Sequence, residues 1–244
     1  MHRPTTNSPD AQTRGLLICG IIAGPFFVVV SFIQTLSVPG FDLARNAVSQ
    51  LTLGDLGWIQ RTNFIITGLL LIAGAAGMFR AMQTGAGKTW APILMAVVGV
   101  GLGAGGVFVA DAGNGFPPGV PAGIPTSMSV HGIFHMIGGS SAFLSLIVLC
   151  FVFGRRYASV GERLWAASSG IVGLIFIACL ALTGAPAGSR TLFVGGSIAL
   201  IWSAVISARL MGESHICPKE LSEKQNVVSS VHRQHQEEDR QDAR

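Results

Sequence analysis

Residues 90–111 read WAPILMAVVGVGLGAGGVFVAD, 21 uncharged positions followed by an aspartate. At about 1.5 Å of rise per residue, a helix of this length covers the roughly 30 Å hydrocarbon core of a bilayer. The apolar residues run on without alternating, which argues against a lipid-facing strand. Backbone in lipid must also satisfy its own hydrogen bonds, and that leaves a helix. Gly99, Gly101, Gly103, Gly105 and Gly106 fall inside the run. Helices in lipid gain little from hydrophobic contact and associate by close backbone approach. The overlapping pairs Gly99 with Gly103 and Gly101 with Gly105 therefore predict a helix packed among neighbours, with a dimer seam, and hence an oligomer, as the other use of the same face.

On either side of this run, uncharged stretches of similar length occupy residues 15–36, 62–79, 130–153, 164–185 and 191–208. The chain has 244 residues, 50% of them apolar and 11% charged, with a mean hydropathy of +0.56, a balance that suits lipid as the solvent. The fold class expected is all-α: a polytopic membrane protein with six transmembrane helices in a single bundle over residues 15–211. Residues 1–14 and 212–244 are polar and are expected to be disordered ends. The first run exceeds the usual apolar length of a signal peptide and lacks a small-residue cleavage pattern, so it reads as a span.

Basic residues near helix ends resist translocation, which fixes the orientation. With the N-terminus inside, Arg3, Arg14, Arg80, Lys88, Arg155, Arg156, Arg163, Arg209, Lys219, Lys224, Arg233, Arg240 and Arg244 are cytoplasmic. Only Arg45, Arg61 and Arg190 are then outside. Both ends of the chain are cytoplasmic on this count, and the expected location is the plasma or inner membrane, crossed several times. The net charge of +4 reports this topology and an affinity for membrane lipids. No basic cluster with interleaved aromatics points to nucleic acid.

Cys19, Cys150 and Cys179 lie within apolar runs and Cys217 lies in the tail, with no CxxC spacing, so they read as small hydrophobes. Pro25 within the first run predicts a kink. Trp58, Trp90 and Trp165 lie near predicted helix ends, as interfacial anchors do, whereas Trp202 is mid-span.

Two outward connections are long, residues 37–60 and 111–129, and long ordered loops tend to carry function. The second contains Pro117, Pro118, Pro121 and Pro125 and reads as a stiff lid. Asp111 stands just before it, and His131 and His135 open the following helix one turn apart on one face. Loop closure brings the acid and both imidazoles toward the same outer boundary. Two histidines at i and i+4 with a carboxylate could ligate a divalent metal such as zinc, leaving a position for water. No glutamate follows His131 as in HExxH, so a general base would have to come from elsewhere, such as Asp42 or Asp55. The plainer alternative is a hydrogen-bonded cluster that fixes the lid and the helix ends, and a proton or ion path is a third. No other span contains histidine, which disfavours a bis-histidine haem.

In the first outward connection, residues 46–53 suggest a short surface helix carrying Asn46, Ser49 and Gln50 on its polar side. Ser49 could be a nucleophile, although asparagine and serine in such a place more often cap a turn. Arg45 could meet a lipid phosphate or pair with Asp42 or Asp55.

The segments GIIAGPFF (20–27), VPGFDLARNAVSQLTLGDLGWIQRTNFIITGLLL (38–71), GVFVADAGNGFP (106–117) and SVHGIFHMIGG (129–139) occur in that order. Together they resemble the bacterial and archaeal membrane family called domain of unknown function 998, over about residues 15–210. The resemblance implies a six-helix membrane protein without an established activity. It also implies that Asn46, Ser49, Asp111, His131 and His135 form one shared polar signature. Many members follow the aspartate with proline, where this chain has Ala112.

Three functions are consistent with these residues. The first is a membrane-embedded enzyme using Asp111, His131 and His135 as metal ligands or acid–base groups on a lipid or lipid-linked substrate. The second is a proton-coupled carrier in which the same groups titrate. The third is a non-catalytic module in which they serve as architecture.

Overall fold

The computed structural model describes residues 11–123 and 127–213. The expectations for residues 1–10, for the tail from residue 214 with Cys217, and for Pro125 lie outside the described residues. Within them, α1 (Ala11–Ser37), α2 (Gly57–Ala81), α3 (Trp90–Val107), α4 (Val130–Ser159), α5 (Arg163–Ala181) and α6 (Gly188–Glu213) are each long and apolar enough to cross a membrane. Two short 3-10 helices, Val48–Thr52 and Leu182–Gly184, complete the all-α architecture.

The helices outrun the apolar stretches that seed them. α1 opens at Ala11, where the Arg80 Nε donates to the Thr13 hydroxyl at 3.0 Å and ties the first turn to α2. α1 also continues as helix through Pro25. α2 begins at Gly57 and so takes in Gln60 and Arg61, because Gln60 is completely buried and finds polar partners on α1. The surface helix expected at residues 46–53 is instead the 3-10 turn Val48–Thr52, with Gln50, Leu51 and Thr52 buried.

Each helix packs on its neighbours in the chain, and α6 returns to α1, so the six form a closed ring. Glycine sets the spacing between helices. A Cβ on Gly24 of α1 would collide with the Leu200 carbonyl of α6. Gly68 of α2 meets the Gly99 carbonyl and Gly103 backbone of α3, while Gly101 on the other side of α3 meets the Gly138 carbonyl of α4. Both glycine pairs of residues 90–110 thus serve packing within the chain. Outside the ring, Leu36, Leu69, Val100, Leu144 and Leu174 stand exposed, a surface that suits lipid and not water.

The two halves of the ring differ. At the end that the basic residues place inside, Phe153 stacks on Tyr157 at 6.0 Å between centroids and meets Trp202 edge-on at 5.9 Å, which accounts for the mid-span tryptophan as a core residue. The Arg209 guanidinium lies 4.9 Å from the Tyr157 ring centroid and 4.3 Å from that of Trp165, with its Nε donating to Glu213 at 2.7 Å. Arg156 donates to the Thr84 and Ala86 carbonyls at 3.0 and 3.1 Å, fastening the α2–α3 connection to α4. The opposite end is covered by two interlocked loops, with a cavity beneath them.

Candidate functional site

The outer cover is built from side chains that bond main-chain groups across the two long loops. Asn46, 1% exposed, accepts from the Asp42 N–H at 3.0 Å and donates to the Asn114 carbonyl at 3.2 Å. Asn114 donates back to the Arg45 carbonyl at 3.3 Å. Gln50 donates to the Gly113 carbonyl at 3.0 Å and accepts from the Ala47 N–H at 3.1 Å. Phe116, buried, meets Phe41 edge-on at 5.3 Å. These bonds satisfy polar backbone that would otherwise be stranded at the membrane boundary.

Asp111 sits where the chain leaves α3 and faces the start of α4. Its Oδ2 accepts from the Ser129 N–H at 3.1 Å, and Ser129 caps α4 by accepting from the Gly132 N–H at 2.9 Å. A Cβ on Gly132 would collide with the Asp111 carboxylate, so the glycine makes the notch in which the acid rests. A carboxylate there meets the unpaired N–H groups and the positive end of the helix dipole, a favourable placement.

The two histidines separate. His131 is exposed and packs against the Phe108 ring at 5.7 Å between centroids. His135, one turn deeper and 8% exposed, has its Nδ1 2.8 Å from the Phe108 carbonyl oxygen. A carbonyl can only accept, so Nδ1 carries the proton and, in the neutral ring, Nε2 is the basic nitrogen. Phe108 therefore joins both histidines, one through its ring and one through its main chain. Among the described residues, no group of three or more His, Cys, Asp or Glu side chains is placed to hold a metal ion, so Asp111, His131 and His135 share a corner of the fold without converging on one point.

Beneath the cover lies a cavity of about 390 Å³ in the outer half of the ring. Phe27, Phe64, Leu102, Leu146, Phe176 and Phe193, from all six helices, give it apolar walls. His135, Ser49, Ser140, Thr183, Ser189 and Ser197 supply its polar groups. Gly105, Gly139 and Gly196 leave the room. The roof is Ala47, Val48 and Ser49 of the first loop; the proline-rich loop packs on that roof from outside and does not line the space. Of the residues singled out in the sequence, Ser49 and His135 thus reach the cavity, while Asp111 and Asn46 hold its cover in place.

The family model described as Protein of unknown function (DUF998) matches residues 21–214, which run from the middle of α1 to the end of α6. The chain belongs to this family. No curated protein and no solved structure matches it. The DUF998 match contains the whole cavity lining and both covering loops.

Behind the cavity wall, the DUF998 chain buries a network of neutral polar side chains that sequence reading missed. Gln34 of α1 donates to the Gln60 Oε1 of α2 at 2.6 Å, and Gln60 donates to the Ser31 hydroxyl at 3.0 Å. Asn63 donates to the Phe27 carbonyl at 3.2 Å and to Ser31 at 3.1 Å. All four side chains are buried. Amides on facing helices next to two apolar runs are the signal that could have found it, since polar residues in lipid seek one another.

Proposed function

We propose that this protein takes an apolar, chain-bearing molecule, a lipid or lipid-linked substrate, into the cavity in the outer half of its helical ring, and that His135 acts on or orients the polar end of that molecule. The observation that carries this reading is the cavity itself: about 390 Å³ between the membrane-spanning helices, partly open, walled chiefly by aromatic and aliphatic side chains, with a few polar groups among them. Binding sites for small apolar molecules have this composition, a greasy lining with few polar groups that fix orientation. His135 suits the orienting role because its Nδ1 is committed to the Phe108 carbonyl, which holds the ring in place and leaves Nε2 as the base. Ser49, in the roof, offers a hydroxyl to the same space.

The test is lipid retention. The wild-type chain and Gly139→Leu are purified in parallel, and lipids that survive delipidation are identified by native mass spectrometry. Gly139 lines the cavity, and a Cβ there meets nothing within 4 Å, so leucine can fill space without striking backbone. A defined lipid retained by the wild type and lost from Gly139→Leu supports the reading. Equal retention by both proteins contradicts it.

A further inference from the structure

Only Arg45, Arg61 and Arg190 are basic on the outer side, where each opposes the charge rule that sets the topology. Two of the three gather at one place. Ser189 lines the cavity, its hydroxyl donates to the Arg45 carbonyl at 3.3 Å, and Arg190 is the next residue along α6. Arg45 pairs through Nε with Asp42 at 2.9 Å while 63% of its side chain stays exposed. Arg190 is near enough to Asp42 to help hold its carboxyl below the ordinary value. Arg45 pairs with this carboxylate and Arg190 lies toward it, so two guanidinium groups and one carboxylate stand at this part of the rim. The N-terminus of α6, at the same rim, adds the positive end of its dipole.

We propose that the occupant of the cavity is an anionic amphiphile, its apolar chain between the helices and its phosphate or carboxylate headgroup held at the rim by Arg45 and Arg190. This rests on the cavity being a lipid site and adds the charge class of the headgroup. The chemistry is that of guanidinium with an oxyanion: a planar fork of donors matches two oxygens, and pairing is stronger where part of the site is shielded from water. Arg45 spends only Nε on Asp42 among the described residues, which leaves both terminal amino groups for the second partner. Asp42 then competes with the ligand for Arg45, and removing its charge strengthens ligand binding.

The experiment reconstitutes the full chain in nanodiscs of phosphatidylglycerol and phosphatidylcholine in equal amounts with identical acyl chains, and measures the ratio of the two lipids retained after extraction. Wild type should enrich phosphatidylglycerol. Arg45→Gln with Arg190→Gln should lower that enrichment by roughly three- to tenfold. Asp42→Asn should raise it, since the amide oxygen still accepts from the Ala44 N–H while the competing charge is gone. Inorganic phosphate alone should neither bind tightly nor displace the lipid. Wild-type retention without preference, or an enrichment unchanged in the double arginine variant, overturns the headgroup assignment while leaving the cavity reading intact. Phosphate that displaces the lipid overturns it too, because the site would then recognise a free anion. Retention of both lipids by Gly139→Leu at the wild-type level removes the cavity reading, and this proposal with it.

Discussion

The Nδ1 of His135 lies 2.8 Å from the carbonyl oxygen of Phe108, so the residue that ends α3 fixes the ring of a cavity-lining histidine on α4. The bond joins the two helices where the cavity meets its cover. It also gives His135 a defined tautomer.

Replacing His135 by alanine should cost about 1–3 kcal/mol of stability, from the lost hydrogen bond and the space left behind. Thermal unfolding in detergent measures this. His135→Asn, which can still present a donor toward Phe108, should recover part of the stability without restoring a basic nitrogen. If the asparagine variant also retains the bound lipid but loses any turnover, the basic nitrogen is the part that acts.

Asp111 and Gly132 should be energetically coupled, because the carboxylate occupies the notch that glycine leaves. Asp111→Ala should destabilise by about 1–2 kcal/mol through the weakened start of α4. Gly132→Ala should cost about 1–3 kcal/mol by collision. Together they should cost clearly less than the sum, since the three atoms nearest the added Cβ all belong to the acid. Additive losses in a thermal-melt cycle would contradict the capping role.

How far the sequence carries is clearest at this corner. Residues 90–110 announce a membrane helix because lipid tolerates few alternatives, and each of the six apolar runs became a helix for the same reason. The spacing of Asp111, His131 and His135 points all three toward one end of the bundle, but it cannot distinguish capping from ligation. Asp111 turns to the first N–H groups of α4, His131 lies one turn beyond the rim, and only His135 faces the cavity. The bonds responsible end on the carbonyls of Phe108, Gly113 and Asn114, and main-chain acceptors leave no mark in a side-chain pattern. The network around Gln60 was hidden for another reason. Taking Arg61 as the border of the second span cut Gln60 out of the helix that in fact contains it.

Gln60→Leu should destabilise the protein by about 1–3 kcal/mol even though it makes α2 more apolar, because Gln34 would lose its partner, and Ser31 and Asn63 one of theirs, while all three keep their desolvation. Thermal unfolding checks the sign. A leucine variant at least as stable as wild type would mean that the network adds nothing to the α1–α2 contact.

The outer cover should loosen in acid. The Ala44 N–H holds the Asp42 carboxyl below its ordinary 3.8; desolvation, the next largest effect, opposes it, and Arg45 adds to the lowering. A carboxylate with a depressed folded value stabilises the fold above its unfolded value and loses that contribution as pH falls through the folded one. Hydrogen exchange in residues 42–46 should therefore be unchanged between pH 7 and pH 5 after correction for intrinsic rates, and should rise below about pH 3.8. In Asp42→Asn the acid-induced rise should be reduced. A rise of equal size in that variant would assign the acid sensitivity to another group.

Photolabelling by a lipid with a diazirine in its acyl chain, incorporated into the membrane at low density, is the most direct test of an occupied interior. Sites of attachment are read by peptide mass spectrometry. The prediction is saturable labelling of Leu146, Phe176, Leu192 and Phe193, residues that line the cavity, and its loss in Gly139→Leu. Labelling confined to residues on the outside of the ring, such as Leu144, Ile171 and Leu174, would contradict it.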